Sequence, residues 1–198
     1  MNSSHLLSHH MLGAKNGKSI EYIQIYGERN SGTNYLENLL NANLEYLKAG
    51  TKLGWKHGFI NQPHLKKYDL SQTLALIISK NPYAWLVSMH QKPYHAPQLA
   101  NIAFSEFIRK EWACYSGKYN YMKPINVDSN ILLNSTEMMR ERHPLTKQRI
   151  ENVVHLRNLK NQSFLKLINI FENYYFIRYE DLLLDYKQTL YRLSLIHI

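Results

Sequence analysis

The stretch Gly27-Glu28-Arg29-Asn30-Ser31-Gly32-Thr33-Asn34 concentrates the groups best suited to chemistry. Its glycines have the G-x-x-x-x-G spacing of a phosphate loop. In such a loop successive backbone N–H groups form a concave nest for an oxyanion, and the helix that follows adds positive potential. An ATPase would continue with Lys and Ser or Thr, but Thr33 and Asn34 stand there, so the lysine that reaches the β- and γ-phosphates is missing. Ser31, Thr33 and Asn34 supply short side-chain donors, and Arg29 supplies a permanent charge. Taken alone, the same residues would also serve as a tight glycine turn. Further along, Lys80 places a cation at the end of an apolar run, and Ser88 places a hydroxyl in the segment after it. Between these motifs, Gly54-Trp55-Lys56-His57-Gly58-Phe59 carries His57. An imidazole titrates near pH 6.5 and can take a proton in a neutral solution. Lys56 beside it is a second candidate cation for a leaving phosphate.

Elements must hold these residues together. Glu21-Tyr22-Ile23-Gln24-Ile25-Tyr26 is β-rich and roughly alternating, and it ends at Gly27. Leu36, Leu39, Leu40, Leu44 and Leu47 share one face of a helix, which Gly50 and Gly54 are expected to end. Thr73 to Ser79 is an apolar strand of the kind buried on both faces of a parallel sheet. Pro82 suits a first helical turn, and Ala84 to Met89 continues it. Phe104, Phe107, Ile108 and Trp112 predict a further helix, and Phe164, Leu167, Ile168 and Phe171 another. The stretch 117–147 has no period and reads as a long surface excursion. Tyr174 to Arg178 reads as a strand, with Asp181 capping a closing helix. Strand, glycine loop and helix followed by strand and helix predict an α/β, P-loop-like three-layer fold with a central parallel sheet flanked by helices. Both loops would then emerge at the carboxyl edge of the sheet, where ligands bind. Two anion sites there suit a nucleotide with two separate phosphate groups.

The motifs resemble those of sulfotransferases that use 3′-phosphoadenosine 5′-phosphosulfate (PAPS). Asn30-Ser31-Gly32-Thr33-Asn34-Tyr35-Leu36 is similar to that family's 5′-phosphosulfate loop, [KR]-S-G-T-[TS]-[WFY]-L. Lys80-Asn81-Pro82 through Leu86-Val87-Ser88 resembles its 3′-phosphate motif, R-[DN]-P followed by L-V-S. Phe176-Ile177-Arg178-Tyr179-Glu180-Asp181-Leu182-Leu183 looks like its V-R-Y-E-D-L-L strand and turn. The resemblance implies that Ser31, Gly32, Thr33 and Asn34 hold the phosphosulfate end, that Tyr35 stacks on adenine, and that Lys80 and Ser88 hold the 3′-phosphate. It implies His57 as the base, with Arg29 and Lys56 as cations at the leaving phosphate, and structural roles for Tyr179, Glu180 and Asp181. The implied activity is transfer of a sulfuryl group to a hydroxyl or amine of a carbohydrate or other small molecule, with PAPS as co-substrate and no metal. The chain departs from the pattern in three places. Asn30 stands where the family has a basic residue, Lys80 replaces its arginine, and its C-terminal G-x-x-G-x-W stretch is missing.

Composition sets outer bounds. The chain has 198 residues, 44% of them hydrophobic and 20% charged, as expected for an ordinary globular chain. Lys and Arg number 24 against 15 Asp and Glu, a formal net charge of +9 that favours anionic partners. Cys114 is the only cysteine, which excludes an internal disulfide framework and a cysteine zinc site; it is expected as buried packing on an apolar helix. His90 and His95 read as turn residues that could line an acceptor site. The longest clean apolar run, Leu74 to Ile78, is too short to cross a bilayer, and the N-terminus has no signal-peptide core. A cytoplasmic protein is the expectation. Residues 1–19 are expected to form a loose leader and 20–192 the catalytic domain. Leu193-Ser194-Leu195-Ile196-His197-Ile198 is what the end of a common sequencing adapter encodes, so the natural sequence is expected to stop near Arg192. Two rival readings stay open: a nucleotide kinase or other P-loop NTPase, and a non-enzymatic anion or nucleic-acid binder.

Overall fold

The computed structural model describes residues 12–13, 19–44, 49–116 and 136–194. Residues 1–11 and 14–18 of the expected leader, Leu47, residues 117–135 of the expected excursion and residues 195–198 lie outside them.

A five-stranded sheet organises the chain. Its strands are β1 (Leu12–Gly13), β2 (Tyr22–Gly27), β3 (Ala49–Gly50), β4 (Thr73–Ser79) and β5 (Asn173–Arg178), in the order β1-β5-β4-β2-β3. All neighbours run parallel except β1, which pairs antiparallel with β5. Parallel strands need crossovers, and helices provide them. These are α1 (Thr33–Asn43), α2 (Gln62–Leu65), α3 (Pro82–Gln91), α4 (Phe104–Phe107) and α5 (Val153–Leu165); α6 (Tyr179–Leu184) and α7 (Tyr186–Ser194) follow β5.

The alternation of β4 sorts the core into layers. Leu74, Leu76 and Ile78 join Ile23, Ile25, Tyr175 and Ile177 on one face, covered by Leu36 and Leu40 of α1, Leu182 of α6 and Leu193 of α7. Ala75 and Ile77 face the other way with Tyr26, covered by Leu65, Phe164, Leu167 and Phe171. This is the three-layer α/β fold with a central parallel sheet that the pattern predicts. A third cluster gathers Trp85 and Met89 of α3, Phe107 of α4, Trp112, Cys114, Ile150 and the start of α5. Leu36, Leu40, Leu74 and Leu76 are fully buried, so truncating any of them to Ala costs about 2–5 kcal/mol.

Register decides where the chemistry sits. Gly27 lies opposite Ile78, and Ser79 opposite Arg178. The glycine loop, Lys80-Asn81 and Tyr179 therefore leave the sheet at the same carboxyl edge.

Four local expectations change. The helix α1 stops at Asn43, and Leu44 turns extended with its N–H still on the Leu40 carbonyl. Gly50 therefore does not end that helix; Ala49–Gly50 adds a parallel strand, held to α1 by an Ala49 N–H bond to Asn41 Oδ1 of 3.1 Å. The helix predicted through Trp112 ends at Phe107. Trp112 instead bridges Ile150, and Cys114 is buried off any helix, 3.1 Å from Trp112 Nε1. Asp181 caps nothing: Arg178 is the N-cap of α6, and Asp185 caps α7 through the Gln188 N–H at 2.9 Å. The stretch 136–147 is not all surface, because Glu141 is buried within it.

Candidate functional site

The turn after β2 is closed by its own residues. The Ser31 hydroxyl donates to the Glu28 carbonyl at 2.7 Å, and the Ser31 N–H bonds the same oxygen at 3.3 Å. Asn30 takes a left-handed backbone (φ 60°), and its amide donates to the carbonyls of Ser88 and Lys92 at 3.2 and 2.9 Å. Gly32 follows at φ 94° as the N-cap of α1. That backbone favours glycine, and the contact demands it: a Cβ there would fall 2.3 Å from Cδ2 of Tyr179. The backbone thus presents the start of α1 bare, beneath the Tyr179 ring.

A cleft of about 540 Å³ opens above this loop. Gly32, Thr33 and Asn34 of the first loop, Lys80, Ser88, Gln91 and Lys92 of the second motif, and Arg29, His57, Tyr94, His95 and Tyr179 line it together. No carboxylate lines it among the described residues. Its size falls within the roughly 300–1,000 Å³ of ordinary ligand sites. Lys80 Nζ donates to Ser88 Oγ at 2.8 Å and sits 5.0 Å from the Tyr179 ring centre. Strand end and helix thus bring that cation and hydroxyl together.

His57 lines the same cleft. Its Nδ1 is 2.8 Å from the Gly27 carbonyl. A carbonyl oxygen only accepts, so Nδ1 carries the hydrogen and Nε2 keeps its lone pair. Burial lowers the His57 pKa to about 3, and Arg29, Lys56 and Lys160 lower it too, against the Gly27 bond that raises it. The ring is neutral at pH 7 and oriented as an acceptor.

Beneath the cleft lies a buried charge network. Arg29 Nη1 donates to Glu141 Oε2 at 2.8 Å, and Lys160 Nζ donates to Glu141 Oε1 at 3.0 Å. Lys160 also holds the His57 carbonyl at 2.7 Å. Burial pushes the Glu141 carboxyl up, but Lys160 and Arg29 outweigh it and leave it below its ordinary value. Burial lowers the Lys160 ammonium, partly offset by Glu141. Arg29 also stacks 4.8 Å from the Trp55 ring centre and donates from Nε to His95 Nδ1 at 3.3 Å. Glu28 is equally buried, its Oε2 3.2 Å from Arg157 Nη1 but too poorly aligned for a hydrogen bond. Burial raises the Glu28 pKa to about 7 despite Arg157 and Lys160. Arg157 ties this pair to the second motif by donating to the Lys80 carbonyl at 2.6 Å.

Of the sequence-predicted residues, Arg29, Asn30, Gly32, Thr33, Asn34, His57, Lys80 and Ser88 line one cleft. Ser31 does not; its hydroxyl shapes the loop instead of facing a ligand. Tyr35 lies outside the cleft and is half-exposed. Lys56 is also outside, bonded at 2.6 Å to both Asn34 Oδ1 and Glu37 Oε2. His95 enters the cleft, whereas His90 turns to the Ile102 carbonyl at 2.7 Å. Glu180 holds the Asn81 N–H at 2.8 Å, a structural task, while Tyr179 does more than its expected structural part and forms a wall. Sequence reasoning missed Glu141, Lys160, Glu28, Arg157 and Lys92. Lys160 left a signal, since it occupies the buried face of α5 with Val153, Leu156 and Phe164. Glu141 lies in an aperiodic stretch and left none.

Among the described residues, no group of three His, Cys, Asp or Glu side chains is placed to hold a metal ion, and no helix is long and apolar enough to cross a membrane. No family model, curated protein or solved structure matches the chain.

Proposed function

We propose that the chain is a sulfotransferase that takes a sulfuryl group from PAPS and passes it to a hydroxyl or amine of a carbohydrate or small molecule. One observation carries this reading. The N-terminus of α1, the Lys80–Ser88 pair and a neutral, oriented imidazole line one cleft, and no carboxylate lines it among the described residues. Such a cleft fits a ligand with two anionic groups, as in a nucleoside 3′-phosphate 5′-phosphosulfate.

The roles follow from position. The N–H groups at the start of α1 and the side chains of Thr33 and Asn34 hold the phosphosulfate end. Lys80 and Ser88 hold the 3′-phosphate by charge and hydrogen bond. Tyr179 offers its ring as a wall, a part Tyr35 is too far outside to play. His57 Nε2 takes the proton as the acceptor oxygen bonds to sulfur and the sulfur–oxygen bond to the phosphate breaks. Arg29, held by Glu141 at the cleft, faces the charge that develops on the leaving phosphate. General-base help of this kind is worth about 10²–10⁴-fold.

Calorimetric titration with 3′-phosphoadenosine 5′-phosphate, the desulfated product, tests the reading. The wild type should bind it well above ATP, and Lys80→Ala and Ser88→Ala should each weaken it about tenfold or more, as loss of a charge-assisted hydrogen bond requires. Equal binding of ATP, or variants that bind like the wild type, would remove the assignment.

A further inference from the structure

A second recess adjoins the cleft across Trp55. It comprises two neighbouring hollows of about 240 and 530 Å³ that share Phe59, Ile60, Asn61 and Arg140 in their walls. Its charged lining is one-sided among the described residues: Arg140, Arg142, Lys147 and Lys166, with no carboxylate. Arg142 is neutralised by a two-pronged pair with Glu137 at 2.9 and 3.0 Å. Arg140, Lys147 and Lys166 are exposed and have no carboxylate partner among the described residues. Its floor is fixed, because the Ile60 N–H donates to Ser163 Oγ of α5 at 2.8 Å. The aromatic rings of Trp55 and Phe59 line the same recess.

Trp55 connects recess and cleft. Its ring meets His57 edge-on at 5.5 Å and His95 at 5.8 Å, while Arg140 lies 4.8 Å from its centre. Arg140 also contributes to holding the His95 pKa below its ordinary value, so its field reaches the cleft. Resting on the sulfotransferase reading above, we infer that this recess is the acceptor subsite and that the acceptor is an anionic saccharide. Its carboxylate or sulfate lies among Arg140, Lys147 and Lys166, a sugar ring lies along Phe59 beside the Trp55–Arg140 stack, and the reacting hydroxyl crosses the Trp55 edge toward His57. Uncompensated cations around a recess select for anionic ligands, and the Phe59 ring supplies the apolar contact a sugar face needs.

Two titrations of the same protein test this. The first uses 3′-phosphoadenosine 5′-phosphate and reads the donor site alone. The second uses three disaccharides of equal length: one with a uronate, one with a sulfate, one neutral. Both charged sugars should bind at least tenfold more tightly than the neutral one, with an advantage that shrinks as salt is raised. Whichever charged sugar binds tighter identifies the group the recess prefers. The double variant Lys147→Ala/Lys166→Ala should erase most of that advantage and leave nucleotide affinity unchanged. Both side chains are exposed, so the variant keeps its fold, which a thermal melt verifies. Nucleotide binding with no preference for charged sugars, or a preference the variant retains, overturns the acceptor assignment and leaves the donor site standing. Failure of nucleotide binding instead removes the donor reading.

Discussion

Arg29 and Glu141 meet at 2.8 Å with side chains only 4% and 1% exposed, although 112 positions separate them. Lys160 completes the group at 3.0 Å from the other oxygen of Glu141. A single carboxylate therefore holds two buried cations, one at the cleft and one that supports His57 through its carbonyl. Removing the anion alone leaves two like charges in a poorly solvated space. Glu141→Gln should cost about 3–5 kcal/mol in urea unfolding. Replacing all three, as Arg29→Met/Glu141→Leu/Lys160→Met, should restore much of the stability while abolishing turnover, because apolar groups of similar volume dispense with the desolvation cost. A single variant as stable as the wild type would show that the network is not a stabilising knot.

Gly32 and Tyr179 make a second testable pair. Gly32→Ala suffers twice, from its φ of 94° and from a Cβ only 2.3 Å from the Tyr179 ring. The backbone part costs about 1–2 kcal/mol, and the clash adds to it. Tyr179→Ala in the same chain should recover the clash but not the backbone cost. A double-mutant cycle by thermal or urea unfolding should therefore show a coupling of about 1 kcal/mol or more. Strict additivity would show that the ring does not lie over the glycine.

Much of the cleft was legible because it is built from local signals. Thr73 to Ser79 is a run of apolar residues bounded by polar ones, and it forms a strand with those very limits. Asn81-Pro82 starts α3 as its chemistry dictates: the Asn81 side chain accepts from Tyr83 and Ala84 N–H groups. What escaped depends on long-range contact. Glu141 is an ordinary acidic residue by its neighbours, and only the approach of Arg29 and Lys160 makes its burial affordable. The Ser31 hydroxyl illustrates the reverse. Its type suits a phosphate donor, yet the turn's own geometry directs it to the Glu28 carbonyl. Leu44 continues a helical spacing that the chain abandons, because Ala49–Gly50 gains ladder bonds to β2 instead.

Glu28 predicts a pH dependence. Its folded pKa, about 7, lies above the ordinary 4.5 because burial outweighs Arg157 and Lys160. A raised pKa means that the folded state holds its proton longer than the unfolded chain does. The resulting stability is fully present below about pH 4.5 and is lost as pH rises through about 7. Glu28→Gln cannot titrate, so the stability difference between pH 5 and pH 8 should shrink in this variant. Urea unfolding of both proteins at the two pH values measures it. An unchanged difference would assign the dependence to another group.

His57 works in the opposite direction, and its titration reports on the cleft. Its folded pKa, about 3, lies below the ordinary 6.5, with burial as the first cause and Arg29, Lys56 and Lys160 as further ones. The stability that comes from burying it neutral is present above about pH 6.5 and is lost as pH falls toward 3. A base so weak would be a poor proton acceptor in the empty cleft. An anionic ligand changes this, because negative charge beside the ring offsets the cations that depress it. At pH 5.5 the ring nitrogens should show the neutral Nδ1–H form by NMR, and 3′-phosphoadenosine 5′-phosphate should shift them toward imidazolium. His57→Ala should keep nucleotide affinity within a few-fold and lose about 10²–10⁴ in sulfuryl turnover. A ring already charged at pH 5.5 without ligand would contradict its burial, and unchanged turnover would remove it as the base. Occupation of the cleft by an anionic nucleotide should thus make the imidazole a stronger base than it is in the empty cleft.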